Sequence, residues 1–349
     1  MRMSIRRVVL GAAGVVAAIG VGTAGAQERV NWKLASAYPS TLSVLGPAPF
    51  ETAEVLATIT GGALDIEVYE PGALVPPLET FDAVAKGSID AGYTAGTFWA
   101  GKDVAFNIFS AIPFGPAAPG YLAWMRHGGG LELQDELYAE HDLKSVLCGV
   151  VTPEAAGWFR KEIAGVDDLR GLKMRIAGLG ARVIAELGVS PQLLAPGDIY
   201  LALETGTIDA TEFSTPAADA SLGFYEIADY YYFPGWHQQS AFAQMLINLD
   251  AWNGLSDAHR IAIETACDAT ITRTLAEGEA AQAQALAELE AKGAQVRTLP
   301  DDVLAALEDA WTETVAGLSA ENASFKEAWE SYQSFRDSYR RWREVGYLD

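Results

Sequence analysis

The sequence predicts an α/β protein of two lobes facing one another across a cleft, followed by a long C-terminal helical segment. Two observations carry that prediction. The first is an internal duplication: residues 81–91, Phe-Asp-Ala-Val-Ala-Lys-Gly-Ser-Ile-Asp-Ala, line up with residues 200–210, Tyr-Leu-Ala-Leu-Glu-Thr-Gly-Thr-Ile-Asp-Ala. Each stretch reads as a helix end, a glycine in the left-handed cap position and the start of a strand. The second is a change of character after Ser256, where the pattern becomes Ala/Glu-rich and helical to the end of the chain.

The elements follow in order. Residues 1–26 have the form of an export signal: Arg2, Arg6 and Arg7 precede an apolar run from Val8 to Val21, and Ala24-Gly25-Ala26 gives an A-x-A cleavage site. The run is short and glycine-rich for a membrane span, and the adjacent Arg6-Arg7 pair hints at twin-arginine export. A strand at 30–36, a helix at 49–59 and a strand at 64–69 lead into the first copy of the duplicated stretch. A strand at 172–176, a helix at 179–187 and a strand at 191–194 lead into the second. This is βαβ architecture used twice. It divides the exported chain into lobe I (27–150), lobe II (151–252, crossing back to lobe I) and a helical region (253–349). Three helices are expected in the last part, at 258–292, 301–318 and 324–345. The first is long enough to need a packing partner, either the two lobes or a second copy. The third carries the aromatic stripe Trp329, Tyr332, Phe335 and Tyr339.

Ligands of such sheets bind beyond the carboxyl ends of the strands. That rule brings four clusters to the cleft: Ser36 to Tyr38, Gly96 to Trp99 (with Phe98), Arg175, and Glu212 to Pro216. Arg175 closes its strand, where a planar guanidinium suits recognition of a carboxylate.

Composition narrows the function. Loss of the signal takes the formal net charge from −22 to −25, which argues against nucleic acid and against anionic membrane surfaces as partners. Cys148 and Cys267 are the two cysteines; a disulfide and two buried thiols are both compatible with export. His127, His141, His237 and His259 are scattered, with no H-E-x-x-H and no pairing at metal-ligand spacing. There is no G-x-S-x-G elbow. Gly178-Leu179-Gly180 follows a strand, but Val183 breaks the dinucleotide fingerprint. The run His127 to Gly130 has no serine nucleophile to serve and reads as a turn. A hydrolase or lyase acting on a small acid would need a poised base and nucleophile, and neither is legible, so the expectation is a binding protein and not an enzyme.

Six stretches then carry a family resemblance across the whole exported chain. They are Trp32-Lys33-Leu34-Ala35-Ser36, Gly87 to Lys102, Gly157-Trp158-Phe159-Arg160-Lys161-Glu162-Ile163, Gly171-Leu172-Lys173-Met174-Arg175-Ile176, Ile208-Asp209-Ala210-Thr211-Glu212, and Tyr230-Tyr231-Tyr232-Phe233-Pro234-Gly235-Trp236. With them the chain resembles the periplasmic solute-binding proteins of TRAP transporters, the DctP type, and most closely their 2-oxo acid-binding branch. The resemblance implies a two-lobed periplasmic-binding-protein-like fold that captures a small organic acid for membrane permease subunits. It implies that Arg175 binds the ligand carboxylate through a two-pronged salt bridge, with Glu154, Phe213, Phe98, Trp99, Ser36, Tyr38 and Trp236 around the ligand. It also implies a bridging metal on Glu154, Glu212, the main chain of Phe213 and Gln238, and a homodimer that exchanges a long C-terminal helix.

Three departures stand out. The branch usually has Gln at Glu154, Trp at Phe213 and Tyr at Thr97. These imply a pocket for a ligand larger or more polar than pyruvate, such as a sugar acid. Oxygen ligands with two glutamates favour a hard divalent ion, Ca²⁺ over Na⁺. The alternative keeps the fold and lets Glu154 receive an amine or hydroxyl of the ligand directly, without metal.

Overall fold

The computed structural model describes residues 29–347; the export signal expected at 1–26 lies outside the described residues. Two mixed sheets form the body. The first has the order β2-β1-β3-β10-β4, built from β1 (Val30–Ser36), β2 (Leu64–Tyr69), β3 (Ala91–Ala95), β4 (Leu143–Val151) and β10 (Ala241–Asn248). The second has the order β11-β9-β5-β8-β6-β7, built from β5 (Gly157–Phe159), β6 (Lys173–Arg175), β7 (Ser190–Gln192), β8 (Ala210–Thr211), β9 (Tyr230–Phe233) and β11 (Gln295–Thr298). β1 runs parallel to β2 and β3, and β6 runs parallel to β7 and β8, as two βαβ units require. β10 is antiparallel to both β3 and β4, so the chain returns to the first sheet after building most of the second.

The duplicated stretches form equivalent structures. Helices Thr80–Ala85 and Ile199–Glu204 end before Gly87 and Gly206, whose φ values of +65° and +71° favour glycine. The aspartate that follows has the same task in each lobe. Asp90 Oδ2 accepts from Lys33 N at 2.8 Å, and Asp209 Oδ2 accepts from Lys173 N at 2.9 Å. Each ties the incoming β3 or β8 to its parallel neighbour.

Two short segments cross between the sheets side by side, 152–156 after β4 and 234–240 before β10. Gly235 N donates to Glu154 O at 2.9 Å, and Glu154 N donates to Gln238 O at 3.2 Å. A Cβ on Gly235 would stand 2.3 Å from Glu154 O, so glycine is required for this approach.

The helix Asp257–Ala291 has 35 residues, about 52 Å of rise, and packs on both lobes of its own chain. Near its start Cys267 forms a disulfide with Cys148 of β4, which settles the open cysteine question. Thr270 Oγ1 meets Thr52 Oγ1 at 2.7 Å, and Thr274 Oγ1 accepts from Val150 N at 2.9 Å. Further along, Gln282 Oε1 accepts from Ala217 N in lobe II at 3.0 Å. The aromatic stripe of the last helix, Ala323–Gly346, also meets its own chain. Trp329 lies 5.4 Å from Trp311, Tyr332 lies 5.4 Å from Trp124, and Phe335 covers Gly128. The stripe therefore needs no second copy to be covered. Among the described residues no helix is long and apolar enough to cross a membrane.

Candidate ligand and metal site

The site begins at the ends of β6 and β8, where Arg175 pairs with Thr211 in register. The next residue, Glu212, turns back on Arg175. Its N–H donates to Arg175 O at 2.9 Å, while Arg175 Nη1 donates to Glu212 O at 2.8 Å and to Glu212 Oε1 at 2.9 Å. Glu212 Oε1 also accepts from Ala177 N at 2.7 Å, and Arg175 Nε donates to Leu194 O at 3.3 Å. Both side chains are buried. The guanidinium is thus held by the protein through Nε and Nη1, and Nη2 is the nitrogen without a protein partner among the described residues. Nη1, one of the two outer nitrogens of the fork, is thus engaged by Glu212.

The crossing segments supply the opposite wall. Glu154 from the first, and His237 and Gln238 from the second, are buried beside Glu212. His237 Nε2 lies 3.4 Å from Glu154 Oε2 and 3.3 Å from Glu212 Oε2. None of these three atoms has a protein hydrogen bond. Burial pushes the Glu154 carboxyl up, against the pull of His237. Burial works against the charged form of Glu212 as well, but Arg175, His237 and the Ala177 N–H outweigh it and hold this carboxyl below its usual range. Burial opposes a charged imidazole at His237, and the two carboxylates more than reverse that, so its pKa is raised. Burial pushes the Tyr38 phenol well above its usual value, so it remains a neutral donor facing the cavity.

These groups surround a small cavity of about 30 Å³. Tyr38, Phe98, Glu154, Arg175, Glu212, Phe213 and Gln238 line it, as expected. Three expected ligand contacts do not. Ser36 bonds to the main chain of Tyr38, with Oγ donating to Tyr38 O at 2.8 Å, and so shapes the turn that presents the phenol. Trp99 lies behind Phe98, with Phe81 at 5.4 Å. Trp236 packs between Phe114 and His237. All three lie one layer out from the cavity.

The sequence reading missed His237, which is not scattered at all but faces both glutamates; its place next to Gln238 was the available signal. It also missed Asp219. This aspartate is buried under the 212–216 loop and accepts from Ser214 N at 3.1 Å, Trp158 Nε1 at 3.0 Å and Tyr231 OH at 2.9 Å. Burial raises its pKa to about 7, against the pull of those hydrogen bonds.

The donor set fits a metal ion. Glu154, Glu212 and His237 each offer one ligand atom, and these lie within 4.8 Å of one another. Within the described residues the two buried carboxylate oxygens have His237 as their cationic neighbour, and the cavity beside them is also lined by Arg175.

Two parallel βαβ units whose strand ends meet at a buried arginine and paired carboxylates define a two-lobed solute-binding architecture. Residues 36–322 match the bacterial extracellular solute-binding proteins of family 7, DctP. The chain is 34% identical over 320 residues to a monocarboxylate 2-oxoacid-binding periplasmic protein of Nostoc sp., covering 92% of this chain and 88% of that one. It resembles a TRAP transporter solute-binding protein of Bordetella bronchiseptica, described with calcium and picolinate, at 36% identity and a TM-score of 0.89, covering 91% of this chain and 95% of that one. It also resembles a TRAP periplasmic solute-binding protein of Pseudoalteromonas atlantica with sodium and pyruvate, at 31% identity and a TM-score of 0.86, covering 91% and 97%. The chain belongs to the DctP family of periplasmic TRAP-transporter solute-binding proteins, and is a receptor and not an enzyme.

Proposed function

We propose that this protein captures a small 2-oxo or 2-hydroxy monocarboxylate through Arg175 and a bridging divalent cation, and delivers it to TRAP permease subunits. The observation that carries the reading is the pairing of unpartnered Glu154 Oε2 and Glu212 Oε2 beside a cavity that also exposes Arg175. A cation there offsets two buried carboxylates and admits a third from the ligand, which Coulomb repulsion would otherwise exclude. Glu154 and Glu212 would hold the ion, with Gln238 and the main chain of Phe213 beside it, and the ion would supply a positive contact for the ligand's carboxylate and neighbouring oxygen. Arg175 Nη2 and the Tyr38 hydroxyl orient the carboxylate. In this reading 27–150 and 151–252 act as the closing lobes, with the two crossing segments between them.

The remaining wall sets the ligand's body. Leu45, Val151, Phe98, Phe242 and Ala243 make much of it apolar, with Thr97 and Ser214 as its two hydroxyls. They favour a short apolar or aromatic substituent over a sugar acid, although Thr97 and Phe213 are smaller than the residues usual in the branch. The relatives' calcium with picolinate and sodium with pyruvate support a metal-bridged acid.

The test is thermal unfolding with a panel of small acids, with and without chelator, since binding to the folded state raises Tm by mass action. Oxo and hydroxy monocarboxylates should stabilise in the presence of divalent ions. A shift from a sugar acid or an amine alone would favour the alternatives.

A further inference from the structure

We infer that Ser214 is a ligand contact, its hydroxyl hydrogen-bonding an oxygen of the captured acid, and that Asp219 is the residue that positions it. The inference rests on the reading of the cavity as the site of a small carboxylate, and deepens it by adding a polar contact to Arg175 and Tyr38. Ser214 is 2% exposed and lines the cavity. Among the described residues its Oγ is a buried atom without a hydrogen bond. A buried hydroxyl left unpaired costs free energy, so a serine on the same wall as Leu45 and Val151 is accounted for by a polar guest. A second cavity of about 10 Å³ touches the same residue. Thr152 lines that cavity, and its Oγ1 is unpaired too, so the two hydroxyls do not satisfy one another. A serine hydroxyl both donates and accepts. It can therefore donate to a carboxylate or 2-oxo oxygen and accept from a 2-hydroxyl.

The main chain of Ser214 is clamped on both sides. Its N–H donates to Asp219 Oδ1 at 3.1 Å, and its carbonyl accepts from Ala155 N at 3.2 Å. Ala155 follows Glu154, and Glu212 stands two residues before Ser214. One residue thus ties together the two loops that carry the carboxylates. Asp219 is fixed in turn by the second sheet. Its Oδ2 accepts from Trp158 Nε1 on β5 at 3.0 Å and from Tyr231 OH on β9 at 2.9 Å. One oxygen of the aspartate holds the sheet and the other holds the loop. With its main chain held this way, the Ser214 hydroxyl has little freedom left to lose when a ligand arrives.

The experiment titrates pyruvate and lactate calorimetrically into the exported chain with saturating Ca²⁺. Wild type, Ser214→Ala, Asp219→Ala and Tyr231→Phe are compared, and the ligand-free Tm of each is measured. Ser214→Ala should lose at least about tenfold in affinity for whichever acid the wild type binds more tightly. Its ligand-free Tm should match wild type, because Oγ has no protein bond to lose; a structural role would move Tm and spare affinity. Asp219→Ala should lose at least about tenfold as well. Tyr231→Phe removes a bond from the other oxygen of Asp219, and should lower Tm while holding affinity within about threefold. Ser214→Ala affinity within about threefold of wild type overturns the contact and leaves capture of the acid standing. Wild-type affinity in Asp219→Ala overturns the positioning role. If the wild type binds neither acid, the capture reading and this inference fall together. Ser214→Ala decides the contact even if Asp219→Ala does not fold.

Discussion

Arg175 Nη1 and Glu212 Oε1 lie 2.9 Å apart with both side chains buried, so the residue expected to hold the ligand also holds a carboxylate of the proposed metal site. Arg175→Met therefore does more than abolish carboxylate binding. It leaves Glu212 buried and unpaired, at a cost of about 3–5 kcal/mol. Arg175→Met combined with Glu212→Gln should recover part of that stability without recovering ligand. Urea unfolding of the single and double variants checks this; equal stabilities would show that the pair has no structural role.

Gly235→Ala tests the contact between the crossing segments. The added methyl would meet Glu154 O at 2.3 Å, and relief requires the two segments to separate, which also moves Glu154 away from His237 and Glu212. A loss of about 1–3 kcal/mol is expected, together with weaker cation binding. Wild-type cation affinity in this variant would mean that the segments position nothing.

The disulfide between Cys148 and Cys267 spans 119 residues and joins the long helix to β4 of lobe I. Replacing both cysteines by alanine should cost about 2–5 kcal/mol while leaving ligand affinity near wild type, because neither residue lines the cavity. Chemical denaturation and ligand titration on the same variant separate the two effects.

Asp219 gives a pH signature. Its pKa rises from 3.8 to about 7 on folding because it is buried, so the folded state binds the proton more tightly. The stability it contributes is complete below the ordinary value and is lost as pH rises through about 7. The stability difference between wild type and Asp219→Asn should therefore shrink as pH is raised across that window. A difference that grows with pH would reverse the assignment.

Much of this was legible in the chain. Gly87 and Gly206 marked the duplicated helix ends because only glycine sits easily at their positive φ, and the strand-end rule brought Tyr38, Phe98, Arg175 and Glu212 to the cavity. What lay deeper was not. Trp99 shares its cluster with the lining residue Phe98 and Trp236 its segment with Gln238, and only the packing of Phe81 and Phe114 against them shows which layer they occupy. His237 and Asp219 escaped because their partners are remote in sequence. His237 meets Glu154 across the crossing, and Asp219 gathers Trp158 and Tyr231 from two strands. Spacing along one segment cannot show convergence between several.

The central claim is that a cation bridges the two carboxylates to the ligand. Its most direct test is calorimetric titration of pyruvate into ligand-free protein, once after exhaustive chelation and once with saturating divalent ion. The account predicts binding in the loaded protein and at least a hundredfold loss, about 2.7 kcal/mol, after chelation. Pyruvate affinity unchanged by complete removal of metal would contradict it.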